Sequence, residues 1–109
     1  MTEIGDVIVN RSTGEYMSDF RVLENKYSIS ILAFLWENKE GVCKSRIQEA
    51  MGADKTVLNR LKQLKEAGLI SYAHTEKKKN NAYIVRLTEM GEEIAEVFAS
   101  CKELLEGRI

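Results

Sequence analysis

Residues 45–70 read SRIQEAMGADKTVLNRLKQLKEAGLI, and this stretch decides the fold. Ser45 followed by Gln48 fits a capping box, which predicts that a short helix begins there. After a tight turn, Asp54 suits the N-cap of a second helix that ends at Gly68. Four apolar residues of the second helix recur at helical spacing and are predicted to point inward: Val57, Leu58, Leu61 and Leu64. Two short helices joined by a tight glycine turn form a helix-turn-helix.

The segments on both sides extend this motif. Residues 19–38 carry apolar side chains on nearly every face, which predicts a buried central helix, either continuous or broken near Asn25. Downstream, apolar and polar residues alternate over 70–75 and again over 83–87, which predicts a β-hairpin with a polar tip. Thr88 then offers an N-cap for an amphipathic closing helix of roughly 18 residues. The predicted fold is mainly α with a small antiparallel β-hairpin (α+β).

The length and composition fit one domain. The chain has 109 residues, of which 44% are hydrophobic and 30% are charged. We divide it into an N-terminal arm or short hairpin (1–17), a core that contains the helix-turn-helix and the hairpin (18–90) and a C-terminal helix (91–109). The longest apolar run, Ile31 to Trp36, is far shorter than the roughly 20 residues that span a bilayer. With no visible export signal, we expect a cytoplasmic protein without membrane contact.

The charges are distributed unevenly along the chain. The formal net charge of −1 argues at first against nucleic acid, because phosphate binding needs accumulated Lys and Arg. Residues 1–43, however, carry 4 basic and 7 acidic groups, residues 44–90 carry 10 and 5, and residues 91–109 carry 2 and 5. The positive surplus is therefore confined to the helix-turn-helix and the hairpin.

Three short motifs carry a family resemblance. They are MGADKTVL at 51–58, LKQLKEAGLI at 61–70 and RLTEMG at 86–91. In this order they resemble the winged helix-turn-helix domains of bacterial and archaeal regulators of the HxlR and MarR type. The resemblance implies a transcriptional regulator that binds double-stranded DNA, with the helix from Lys55 as recognition helix, the hairpin as wing and the terminal helices as dimer contacts.

The side-chain chemistry suggests which residues meet DNA. Asn and Gln can pair with adenine, and Arg and Lys with guanine. On a helical wheel the outward side chains of the recognition helix, with Arg60 at the flank, are Lys55, Thr56, Asn59, Arg60, Lys62 and Gln63. The predicted wing contacts are Lys77, Lys78, Lys79, Asn80 and Asn81, and the predicted backbone contacts of the first helix are Lys44, Ser45 and Arg46. The alternative for each set is an ordinary solvated surface.

The last helix bears on the partner. Its apolar stripe either packs on its own domain or forms a homodimer, and we favour the homodimer. The stripe consists of Ile94, Val97, Phe98, Cys101, Leu104 and Leu105. Two-fold symmetry would place the recognition helices about 34 Å apart and predict a palindromic operator. The alternative function is a winged-helix protein-interaction module without specific DNA binding.

Other function classes lack the residues they need. His74 is the single histidine, so no nucleophile and base pair can be assembled, and no glycine motif makes a phosphate cradle. Cys43 and Cys101 lie far apart, which favours reduced thiols over a disulfide or a metal site. We expect no catalysis, no cofactor and no metal. A third possibility is a ligand-responsive regulator with a small-molecule effector between the core and the last helix, although no residue there distinguishes a pocket from a packed core.

Overall fold

The computed structural model describes residues 20–74 and 83–107. In chain order their helices and strands are α1 (Arg21–Glu24), α2 (Ser28–Trp36), β1 (Val42–Cys43), α3 (Lys44–Met51), α4 (Lys55–Glu66), β2 (Ile70–His74), β3 (Tyr83–Leu87) and α5 (Glu89–Leu105). The predicted arm (1–17) and the predicted wing tip (77–81) lie outside the described residues. None of the described helices has the length and apolar character that crossing a membrane requires.

The helix predicted over residues 19–38 is broken, as one of the two alternatives had it. Asn25 has extended backbone at the end of α1, and Tyr27 adopts a left-handed φ of 75° before α2 begins. After the break, α2 lies at the centre of the domain and packs most extensively against α5. Its buried side chains Ile31, Leu32 and Leu35 meet apolar residues from α3, α4 and the sheet in one core.

The helix-turn-helix is present, but the capping box predicted at Ser45 is wrong. Helix α3 begins at Lys44 rather than after Ser45, and Cys43 occupies the N-cap without a side-chain capping hydrogen bond. The Gln48 Nε2 atom donates to the Asp54 backbone oxygen (3.2 Å) instead of reaching back to the start of its own helix. Asp54 occupies the N-cap of α4 as predicted, although its side chain makes no capping hydrogen bond. The predicted glycine turn between the helices is confirmed, since Gly52 has a left-handed φ of 73° and closes α3.

Helix α4 buries three of the four residues that were predicted to point inward. Val57, Leu61 and Leu64 are fully buried, whereas Leu58 is 42% exposed, so its inward assignment is wrong. On a wheel of 100° per residue Leu58 lies beside Leu61, at the edge of the apolar stripe. A wheel gives the angle of a side chain but does not show that no neighbour covers that edge.

The predicted hairpin is confirmed and belongs to a larger sheet. Strands β2 and β3 pair antiparallel with Tyr72 opposite Val85 and His74 opposite Tyr83. The two-residue strand β1 adds to the other side of β3, so that the strand order is β1-β3-β2. The sequence did not predict β1, because a pair of residues is too short to show a period-2 pattern.

The junction between β3 and α5 explains the motif RLTEMG. The Thr88 Oγ1 atom accepts from the Gly91 amide (3.0 Å), which confirms the predicted N-cap, and it donates to the Gly68 carbonyl (2.6 Å). The Thr88 amide also donates to the Leu69 carbonyl (3.0 Å). Gly91 is buried against Leu69 so closely that an added Cβ would overlap the Leu69 carbonyl oxygen. The motif therefore fastens the start of α5 to the exit of α4.

Candidate nucleic-acid interface

The outer face of α4 presents polar side chains that have no partner within the described part of the chain. Lys55, Asn59 and Lys62 are exposed, and their side chains make no hydrogen bond or ion pair there. Thr56 is half-buried at the edge of this face. Because the opposite face is held by the core, this face is both fixed in orientation and chemically available. We call Lys55, Asn59 and Lys62 the α4 outer face.

One flank of α4 is fastened to the break between α1 and α2. The Arg60 Nε atom donates to the Lys26 carbonyl (2.9 Å), and an Arg60 guanidinium nitrogen donates to the Gln63 Oε1 atom (3.2 Å). The same oxygen accepts from the Asn25 side-chain amide (3.2 Å). The contact of Arg60 and Gln63 with DNA stays a prediction. To contact bases, both side chains would have to give up these hydrogen bonds within the protein and form new ones to DNA. Their observed role is to fix the rotation of α4.

The three residues predicted to contact the DNA backbone, Lys44, Ser45 and Arg46, lie at the start of α3 in different environments. The Lys44 Nζ atom lies 4.6 Å from the centroid of the Tyr72 ring, and Ser45 Oγ lies 3.3 Å from Cys43 Sγ. The hydrogen bond to Ser45 and then the backbone amide of Arg46 lower the pKa of Cys43 below its ordinary value. Arg46 pairs with Glu49 at 3.7 Å, with both side chains largely exposed.

Aromatic side chains stiffen the described part of the hairpin. Tyr72 and Tyr83 lie on adjacent strands with ring centroids 6.4 Å apart, and His74 meets Tyr83 edge-on at 5.1 Å. His74 is thus part of an aromatic contact, in keeping with its prediction as a strand residue. The five polar residues predicted at the tip (Lys77, Lys78, Lys79, Asn80 and Asn81) lie outside the described residues.

Solved structures share this arrangement. Neither a family model nor a curated protein matches the sequence. The complex of Staphylococcus aureus MepR with DNA superposes with a TM-score of 0.67 and 19% identity, covering 95% of this chain and 86% of that one. Lactococcus lactis ZitR, a mutant in its apo form, gives 0.70 and 21%, covering 94% and 76%. A transcriptional regulator homologue from Pyrococcus horikoshii gives 0.64 and 22%, covering 80% and 87%.

The chain has the winged helix-turn-helix fold. This confirms the fold class that the sequence predicted, with α3 and α4 as the helix-turn-helix and β2 and β3 as the base of the wing. Where a helix-turn-helix binds DNA, its second helix enters the major groove and the N-terminal residues of that helix meet the base edges, which is the role that the sequence predicted for α4. Lys55, Thr56 and Asn59 lie in that N-terminal half.

The last helix exposes the stripe that was predicted to form a dimer. Val97, Leu104 and Leu105 are 60%, 62% and 88% exposed, and Cys101 is exposed as well. Ile94 and Phe98, nearer the core, are half-buried. The N-terminal half of α5 therefore packs on the winged helix through residues such as Ala95, while the C-terminal half extends beyond it with its apolar side uncovered by the described residues.

Sequence reasoning did not identify one further feature of this surface, the meeting of Lys65 and Lys44 at Tyr72. Lys65 on α4 places its Nζ atom 5.5 Å from the Tyr72 ring centroid, so that Lys65 and Lys44 share one ring. All three residue types were visible in the sequence. Nothing in the spacing, however, shows that the end of the recognition helix, the start of α3 and the middle of β2 converge at one place.

Proposed function

We propose that this protein is a transcriptional regulator that binds double-stranded DNA sequence-specifically as a homodimer. The observation that carries the proposal is the α4 outer face, where unpaired Lys and Asn side chains stand on a helix whose rotation is fixed by the core and by Arg60. These groups match the donors and acceptors of major-groove base edges. The solved complex of MepR with DNA, which has the same fold, supports this function.

The charge distribution supports DNA as the partner. Residues 44–90 carry 10 basic and 5 acidic groups, while the two flanking segments are acidic. Because the basic surplus coincides with the recognition helix and the wing, duplex DNA would meet a positive surface despite the negative total. A net surplus of this size per subunit favours salt-sensitive binding that gains strength from a second subunit.

The exposed stripe of α5 supports the homodimer. Leu104 and Leu105 present large apolar surfaces near the end of a helix that projects past its own core. Pairing two such helices about a two-fold axis would remove both stripes from water and would set two recognition helices about one DNA turn apart. The proposal thus includes a palindromic operator, a cytoplasmic location and no catalytic activity.

The dimer is tested by sedimentation at micromolar concentration. We expect the wild-type protein and Glu103→Lys, which changes an exposed charge on the side of α5 opposite the stripe, to sediment as dimers. Leu104→Glu places a charge within the stripe and should yield monomers. A wild-type monomer, or a Leu104→Glu dimer as stable as that of Glu103→Lys, would contradict the proposed interface.

Specific DNA binding is tested by selecting preferred duplexes from a random-sequence pool with the purified protein. We expect a palindromic consensus. Asn59→Ala should relax the preference at one position of each half-site, because a bidentate base contact contributes about 1–3 kcal/mol of discrimination. Lys102→Gln, on the far helix α5, serves as the control and should select the wild-type consensus. Recovery of random sequences by the wild-type protein would contradict specific recognition.

The protein-interaction module is the second candidate function. It would use the same exposed surfaces to bind another protein and would ignore duplex DNA even at low salt. Absence of duplex binding by the wild-type protein, together with a stable complex with a defined protein partner, would select it over the regulator.

A further inference from the structure

Three elements meet between the recognition helix and the base of the wing. Lys44 from α3 and Lys65 from α4 both direct their ammonium groups to the ring of Tyr72 on β2, at 4.6 and 5.5 Å from its centroid. Lys44 and Tyr72 are half-buried, and Lys65 is exposed. Contact with the face of an aromatic ring restrains a cation. Each ammonium group is therefore restrained beside the same ring rather than free in solvent.

The positive charges of this cluster are not neutralised by the described part of the chain. Neither Lys44 nor Lys65 forms an ion pair there, whereas Arg46 and Lys102 each have a carboxylate partner. An aromatic ring attracts a cation without cancelling its charge, and two positive charges on one ring repel each other. Such a pair attracts an anion that can lie beside both.

Tyr72 adds a hydrogen-bond donor. Its hydroxyl makes no hydrogen bond with the described residues, and burial raises the pKa of Tyr72, so the phenol keeps its proton at neutral pH. The two ammonium groups can only donate hydrogen bonds, and the protonated Tyr72 hydroxyl can donate one as well. A phosphate oxygen of the DNA backbone can only accept them. The chemistry of the cluster fits a phosphate group.

The position of the cluster identifies the source of that phosphate. Lys65 lies on the flank of α4 opposite the Arg60 flank, toward the wing. A helix with its side chains is about 10–12 Å wide and the major groove is about 12 Å wide. A helix seated in the groove therefore has a sugar–phosphate strand along each flank. On the wing side, the groups that this strand would meet include Lys65, Tyr72 and Lys44.

We propose that Lys44, Lys65 and Tyr72 form a phosphate clamp that grips one backbone phosphate of the duplex beside the recognition helix. The clamp rests on the proposed DNA-binding function. It is sequence-independent, and it sets how far the recognition helix enters the groove, since phosphate contacts position a protein on DNA without reading bases. It also ties the helix and the wing to the same strand.

The test measures duplex affinity against salt concentration for the wild-type protein and four variants. Lys44→Gln and Lys65→Gln each remove one clamp cation per subunit, and each should lower the magnitude of the slope of log K against log salt by about 0.9 per half-site, or about 1.8 for the dimer. Tyr72→Phe keeps the ring but removes the hydroxyl, so it should weaken binding several-fold without changing the slope. Lys39→Gln is the matched control, because Lys39 also lies over an aromatic ring, that of Trp36, at 3.7 Å. Its slope should equal the wild-type slope.

A neutral methylphosphonate scanned along the duplex locates the phosphate. One substitution per half-site should weaken the wild-type protein more than it weakens Lys65→Gln, which keeps only Lys44 and Tyr72 on that phosphate. Unchanged slopes for both Lys44→Gln and Lys65→Gln in a wild-type protein that binds DNA would overturn the clamp and leave the proposed function intact. Absence of salt-dependent duplex binding by the wild-type protein would overturn both. Filling of the site by inorganic phosphate alone is the remaining outcome, and it is measured as thermal stabilisation. If phosphate raises the Tm of the wild-type protein as much as duplex DNA does, and if this rise is lost in Lys65→Gln, the site belongs to a free anion instead.

Discussion

Replacing Gly91 by alanine tests the junction that joins α4, the β2–β3 hairpin and α5. A Cβ at this position would overlap the Leu69 carbonyl oxygen, which is backbone and cannot rotate away. The start of α5 would have to move from the α4 exit. That movement would lengthen two hydrogen bonds of Thr88. Its hydroxyl donates to the Gly68 carbonyl at 2.6 Å, and its amide donates to the Leu69 carbonyl at 3.0 Å.

The magnitude follows from three contributions to the free energy of unfolding. Overpacking of a tight contact costs about 1–3 kcal/mol. Weakening the two or three hydrogen bonds of Thr88 costs about 1 kcal/mol for each one lost. Alanine is the better helix former by about 1 kcal/mol, which offsets part of the loss. We expect a net destabilisation of about 3 kcal/mol, equivalent to a fall in Tm of roughly 12–24 °C for a domain of this size.

The assay is thermal and urea unfolding followed by circular dichroism, with Gly52→Ala as the matched control. Gly52 has a left-handed φ of 73° but lies in open space, where an added Cβ would meet no other atom, so alanine there costs only the conformational strain of about 1–2 kcal/mol. Gly91→Ala should therefore be clearly the more destabilised variant. A Gly91→Ala protein as stable as wild type would refute the steric argument, because helix propensity alone favours alanine.

Three smaller predictions concern single side chains. The exposed Leu58 suits contact with a thymine methyl group. Replacing thymine by uracil at one position of the selected site should therefore weaken binding by the wild-type protein about fourfold, as burial of one methyl group implies, and should not weaken binding by Leu58→Ala. Equal effects on the two proteins would contradict this contact. The hydrogen bond to Ser45 lowers the pKa of Cys43, so Ser45→Ala should move the midpoint of Cys43 alkylation to higher pH, as mass spectrometry can follow; an unmoved midpoint argues against that cause. Lys102→Gln removes an ion pair with Glu37 whose side chains are 51% and 56% exposed, so the free energy of unfolding should fall by less than about 1 kcal/mol in a urea titration.

The accuracy of the sequence predictions depends on whether a local pattern determines the feature. The wing strands and the Thr88 cap were predicted correctly, because alternation and an N-cap followed by acidic residues are local signals. The Ser45 cap failed because the pairing of β1 with β3 extends the chain through Cys43 and lets α3 start two residues earlier, at Lys44 rather than Arg46. A pairing between residues far apart in sequence outweighed a local preference.

The surface residues divide in the same way. The wheel identified Lys55, Asn59 and Lys62 as outward because the buried stripe on the other side of α4 is regular. It could not show that Arg60 would bond to the Lys26 carbonyl or that Lys65 would reach Tyr72, since those partners come from other elements. Contacts between elements determine which polar side chains remain free to bind a ligand.

Those contacts give α4 two unlike flanks. On one flank Arg60 bonds to the segment between α1 and α2, and on the other flank Lys65 contacts Tyr72 at the base of the wing. The exit of the helix is bonded through Thr88 to the first turn of α5. A rotation of α4 would therefore break bonds on one side and move the wing on the other, and a shift of α5 would be transmitted to the α4 exit. In a dimer built on α5, the separation of the two α4 helices is then set by how the α5 helices pair. A substitution in the stripe that alters this pairing without abolishing it should therefore change the preferred spacing between the two half-sites. The sequence of each half-site should stay unchanged.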